Sequence, residues 1–85
     1  MESTGFFALY PNPSNGEFQL TNLGNEELFL LSLYDAAGKR VFSQTYSIPQ
    51  RGRVWVNAAS LSSGTYMVEL ATSATIEHHR LVISR

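Results

Sequence analysis

Cysteine is absent from the 85 residues. That excludes a disulfide framework, a thiolate nucleophile and a cysteine-bound metal. Charge is scarce too: six Lys and Arg against seven Asp and Glu leave a formal net charge of −1. So few cations give no electrostatic footprint for nucleic acid or an anionic membrane surface. No apolar run approaches the ~18 residues of a membrane-spanning helix, so direct membrane insertion is not expected. The opening Met1-Glu2-Ser3-Thr4 has neither a basic start nor an apolar run, so no secretory signal is visible. The chain is expected to be either cytosolic or one domain cut from a longer parent. Helical periodicity is the last thing missing: no stretch of about eleven residues or more joins apolar positions at helical spacing to a capping signal. Little or no helix is expected.

What is present is ordinary globular material. The apolar fraction is 44 %, enough for a core, and the length gives room for a single domain over residues 1–85. A chain of this size has a stability of roughly 4 to 13 kcal/mol. All six glycines, at positions 5, 16, 24, 38, 52 and 64, fall between apolar runs and never inside one. Such regular punctuation is a sandwich signature. The expected fold is all-β, an immunoglobulin-like antiparallel β-sandwich of about seven strands.

The chain hinges on Tyr10-Pro11-Asn12-Pro13-Ser14-Asn15-Gly16. Two X-Pro steps bar a helix and remove two backbone donors, and Asn15-Gly16 supplies residues that tolerate positive φ in a tight turn. The segment is a rigid elbow between a first strand, Phe6 to Tyr10, and a second, Glu17 to Thr21, with Phe18 and Leu20 inward. Asn22 to Asn25 is a turn. Leu28 to Tyr34 is the most apolar run and should be a central strand with Phe29, Leu31 and Leu33 in the core. Asp35-Ala36-Ala37-Gly38 fits a type I turn with a bulge, returning through Lys39 to Tyr46 with Val41 inward. Ser47 to Arg53 is the longest loop. Val54 and Val56 share one face and Trp55 takes the other. Tyr66 to Thr72 buries Tyr66, Val68 and Leu70, and Ile76 to Ile83 is the seventh strand. Tyr66, just after a glycine turn, fits either a tyrosine corner or an ordinary half-buried strand tyrosine.

Chemistry is hard to find. Adjacent strand residues His78 and His79 point to opposite faces, so one metal does not reach both, and both are expected to face solvent. Asp35, the only aspartate, has a local turn role. The serines lack a nucleophile elbow, and Glu26-Glu27 lacks calcium-loop spacing and reads as a solvated strand entrance. No catalytic, metal or cofactor site is expected. Trp55, Tyr10, Tyr34, Tyr46 and Tyr66 admit a carbohydrate-stacking face, but burial of these aromatics in the core is the stronger expectation. From the residues alone, the chain is a small β-sandwich with a binding, structural or targeting role, and an appended carbohydrate-binding or spacer module of a secreted enzyme fits that description.

Four motifs occur in order: Leu9-Tyr10-Pro11-Asn12-Pro13-Ser14-Asn15-Gly16, Leu33-Tyr34-Asp35-Ala36-Ala37-Gly38-Lys39-Arg40-Val41, Leu61-Ser62-Ser63-Gly64-Thr65-Tyr66-Met67-Val68 and His79-Arg80-Leu81-Val82-Ile83. Together, over about Phe6 to Arg85, they resemble the type A C-terminal sorting domain of the type IX (Por) secretion system of Bacteroidetes. The resemblance implies a domain at the end of a larger exported protein. It would be carried to the periplasm by the parent's own signal, recognised by the outer-membrane translocon, and removed by a sortase-like peptidase. The cargo is then released or linked to surface lipopolysaccharide. Met1 would be a start added to an excised domain, with the cleavage junction at or before the first strand. The positions matching the family motifs are Pro11, Pro13 and Gly16, then Asp35, Gly38 and Lys39, then Gly64 and Tyr66. Gly38 and Gly64 would serve backbone angles and the prolines an elbow. Translocon contact is expected at the last strand, Arg80, Leu81, Val82, Ile83, Ser84 and Arg85, through an edge or a surface. Self-association is left open.

Overall fold

The computed structural model describes residues 6–85. Met1 to Thr4, the first of the punctuating glycines at position 5 and any cleavage junction before the first strand lie outside the described residues. Seven strands follow in order: β1 (Phe7–Tyr10), β2 (Glu17–Asn22), β3 (Leu28–Tyr34), β4 (Arg40–Ser47), β5 (Arg53–Asn57), β6 (Gly64–Ala71) and β7 (Ile76–Ile83). No helix occurs among the described residues. The strands form two antiparallel sheets, β1-β2-β5 and β4-β3-β6-β7.

The core follows from period-two alternation on both sheets. Phe7, Phe18, Leu20 and Val56 point inward from the smaller sheet, and Phe29, Leu31, Leu33, Tyr66, Val68, Leu70, Leu81 and Ile83 from the larger. The rings of Phe7 and Phe29 meet across the gap at 4.6 Å, and Tyr46 stacks on Phe29 at 5.9 Å. Burial pushes the Tyr46 phenol above its ordinary pKa.

The expected hairpin after β3 forms. Gly38 takes φ +86, and its N–H donates to the Asp35 carbonyl at 2.9 Å. The Asp35 carboxylate accepts from the N–H groups of Ala37 and Lys39, each at 2.9 Å. The register then slips between Leu33, opposite Phe42, and Tyr34, opposite Arg40. Val41 is the extra residue, so Val41 and Phe42 in succession both pack on the core.

Two buried anchors sit where the sequence indicates only turn and loop. Asn22 is fully buried. Its side-chain amide donates to the carbonyls of Glu26 (2.9 Å) and Ile48 (2.7 Å), and its Oδ1 accepts from Gly24 N–H (3.0 Å). Its backbone bonds Gly52 and Arg51, so one asparagine ties the β2–β3 turn to the β4–β5 loop. Ile48 in that loop is buried, and Arg51 takes a left-handed φ of 70. Asn22→Ala leaves buried backbone groups unpaired and is expected to cost about 2 to 4 kcal/mol. Leu33→Ala empties the core centre at about 3 kcal/mol. Urea unfolding followed by Trp55 fluorescence measures both.

Candidate functional site

The elbow after β1 and the last strand, distant in sequence, form one structure. β7 is an edge strand of the larger sheet, and its outer edge is not open. Ser14 N–H donates to the Val82 carbonyl and Ser84 N–H to the Ser14 carbonyl, both at 2.8 Å. This forms a parallel bridge between Ser14 and Ile83. One step earlier the Asn12 side chain acts as a backbone would: its Nδ2 donates to the Arg80 carbonyl (2.7 Å) and its Oδ1 accepts from Val82 N–H (3.0 Å). One step later Arg85 reaches back, its Nε donating to the Asn15 carbonyl (3.0 Å) and its Nη2 to the Ala59 carbonyl (2.6 Å). The chain thus leaves β1 in one sheet and closes the edge of the other.

This pairing accounts for the Pro-Asn-Pro spacing. Neighbouring residues of an extended segment aim their backbone groups to opposite sides. Ser14 faces β7, so Pro13 stands where a donor would otherwise point outward, and the elbow does not template a further strand. Both X-Pro bonds, Tyr10–Pro11 and Asn12–Pro13, are cis. Gly16 takes φ +112, and a Cβ there would stand 2.7 Å from Arg85 Nη2 and 2.9 Å from Ala59 Cα. Asn15 does not share that conformation: the connection runs over Pro11 to Gly16 rather than through a two-residue turn, and Asn15 Oδ1 instead accepts from Glu17 N–H at 3.2 Å.

The remaining motif positions serve the fold. The Tyr66 hydroxyl donates to the Ser62 carbonyl at 2.7 Å, which resolves Tyr66 as a tyrosine corner. Gly64 corrects one expectation. It has no positive φ, and a Cβ there meets only Tyr66 Cε1 at 3.8 Å, so backbone angle does not require it. Lys39 enters through its backbone, its N–H held by Asp35. Within the last strand, Leu81 and Ile83 are core, whereas Arg80 and Ser84 are exposed and Val82 half-exposed.

The histidine pair divides. His78 faces outward, 3.9 Å from Glu69 Oε1. His79 does not face solvent as expected: its side chain is only 24 % exposed and its Nε2 contacts Glu77 Oε2. β7 turns Glu77 and His79 toward the other sheet, and Glu77 also accepts from the N–H groups of Phe6 (2.6 Å) and Phe7 (3.2 Å). One carboxylate thus fastens the start of β1 to β7. Among the described residues no three His, Cys, Asp or Glu side chains gather as metal ligands. The aromatic expectation is corrected as well. Tyr66 is buried and Tyr34 and Tyr46 are half-buried, but Tyr10 is 70 % and Trp55 59 % exposed. Both sit on the outer face of the smaller sheet, where strand alternation overrides aromatic character.

Sheets of three and four strands, an elbow that changes sheets and a tyrosine corner make this an immunoglobulin-like β-sandwich. A crystal structure of a DUF3244 family protein with that fold, from Bacteroides vulgatus, is similar to the chain at a TM-score of 0.65 and 14 % identity. The similarity covers 94 % of this chain and 84 % of the other. It shows the fold. No curated protein matches the chain. The model of the family described as the secretion system C-terminal sorting domain matches residues 8–84. The chain belongs to that family and is a sorting-signal domain of type IX secretion.

Asn12→Ala deletes two bonds to β7 and is expected to lower stability by about 1 to 2 kcal/mol. Gly16→Ala meets both the φ and the Ala59 backbone and should cost more, about 2 to 4 kcal/mol. Chemical denaturation of the two variants beside the parent chain checks the order.

Proposed function

We propose that this domain is the C-terminal end of a larger cargo protein. It directs that cargo through the type IX outer-membrane translocon by binding, without chemistry of its own, and is then removed by a sortase-like peptidase. The route runs through the periplasm to the outer surface or beyond. The family match over nearly the whole chain carries this reading.

The physical form of the signal is a folded sandwich rather than a loose tail. The elbow already occupies the backbone groups of Arg80, Val82 and Ser84. Adding a partner strand to that edge would require displacing it. A docking partner is left with the outward face of β7 and its neighbour β6: Arg80 and Val82, continued by Ser84 just past the strand, with Met67 opposite Arg80 and 51 % exposed, while the Arg85 guanidinium is held by the Asn15 and Ala59 carbonyls. Leu81 and Ile83 contribute from inside by holding the strand in place.

Residues 1–85 fused behind a periplasmic reporter are expected to send it out of a host that has this system. Deleting Leu81 to Arg85 should trap it, but loses two core side chains at about 2 to 5 kcal/mol each. The discriminating variant is therefore Arg80→Ala with Val82→Ser, which leaves the core intact. Export reduced at least several-fold, with unchanged thermal unfolding, supports recognition at this face. Export unchanged by either alteration rejects the terminal strand as the recognised part.

A further inference from the structure

The sorting role leaves the outer face of the smaller sheet unused. Its register sets Tyr10 opposite Gln19 and Gln19 opposite Trp55. Paired residues project to the same face, so these three side chains form one row across β1, β2 and β5. The rings at its ends, the two most exposed aromatics named above, stand two strand intervals apart, roughly 10 Å. The next row carries Thr21 opposite Arg53, and the row on the other side Glu17 opposite Asn57.

We propose that this row is a binding platform for an extended, uncharged polysaccharide. Three observations select that occupant. An exposed Trp and Tyr on one sheet face offer apolar ring faces, which stack on the C–H faces of pyranose rings. Their separation suits alternate sugars of an extended chain, and the Gln19 amide lies midway to bond the hydroxyls between. The charges fit a neutral partner: Glu17 and Arg53 lie on opposite sides of the row and balance one another. Single-stranded nucleic acid also stacks on aromatics, but it needs a cationic track along its backbone, and Arg53 is the one cation in these three rows. The platform lies on the opposite sheet from Arg80 and Val82 and does not depend on the sorting role.

Trp55 is the only tryptophan, so its emission reports on the row directly. The 85-residue chain is titrated with hydroxyethylcellulose, xylan, galactomannan and, as a contrast, a thymidine oligonucleotide. The same polysaccharides are cast into native gels. At least one polysaccharide is expected to shift and saturate Trp55 emission and to retard the band. Tyr10→Ala and Trp55→Ala should each relieve retardation at least tenfold and Gln19→Ala severalfold, with far-ultraviolet circular dichroism unchanged. No shift with any of the three polysaccharides overturns the proposal. So does retardation that survives both aromatic substitutions, a response to the oligonucleotide alone, or an emission shift produced only by raising protein concentration, which would assign the row to a second copy of the chain.

Discussion

The pairing of the elbow with the terminal strand is the constraint on which the rest depends. An 85-residue sandwich has little stability to spare, and its last strand supplies Leu81 and Ile83 to the core. Left as a bare edge, that strand would invite pairing with other chains. Asn12, Ser14 and Arg85 close it instead, with bonds that join residues about seventy positions apart. β1 belongs to one sheet and its continuation to the other, so the same few residues also lock the two layers together. Glu77 does the same from the opposite direction, reaching from β7 to the first amides of β1.

This arrangement separates two tasks within the terminal strand. Inward-facing positions hold the strand in the fold, and outward-facing ones remain free for a partner. Alternation along β7 makes that division automatic. Under the proposed function it also explains how a sorting signal can be compact: a transport machine would be offered one rigid face, and the cost of ordering that face would be met when the domain folds rather than when it binds. The smaller sheet repeats the logic, with Phe18, Leu20 and Val56 committed to the core while Gln19 and Trp55 are left outside.

Much of the fold was legible because one sheet face is buried, and burial writes a period of two into the residues. Phe18 with Leu20 and Val68 with Leu70 are readable as core for that reason, and Asp35 with Gly38 announces its turn by residue type. The unread parts are those where a polar side chain stands in for backbone. Asn22 is a turn former by composition and a buried hub in fact, and only long-range contacts with Ile48 and Gly52 make it so. Asn12 lies between two prolines, and that placement was a usable clue, since a side chain must bond where the neighbouring backbone lacks donors. The pairing partner, β7, has no local trace in the elbow. His79 was misread because the open mouth between two sheets buries alternate residues even where they are polar.

Amide hydrogen exchange at Val82 and Ser84 tests the central claim most directly, since both N–H groups lie on the outer edge of β7 and have only the elbow as partner. Protection within about tenfold of the amides in the β6–β7 ladder is the predicted result. Exchange at the rate of an unstructured peptide, with the ladder still protected, would mean the terminal strand presents an open edge, and the account of a closed, face-reading signal would be contradicted.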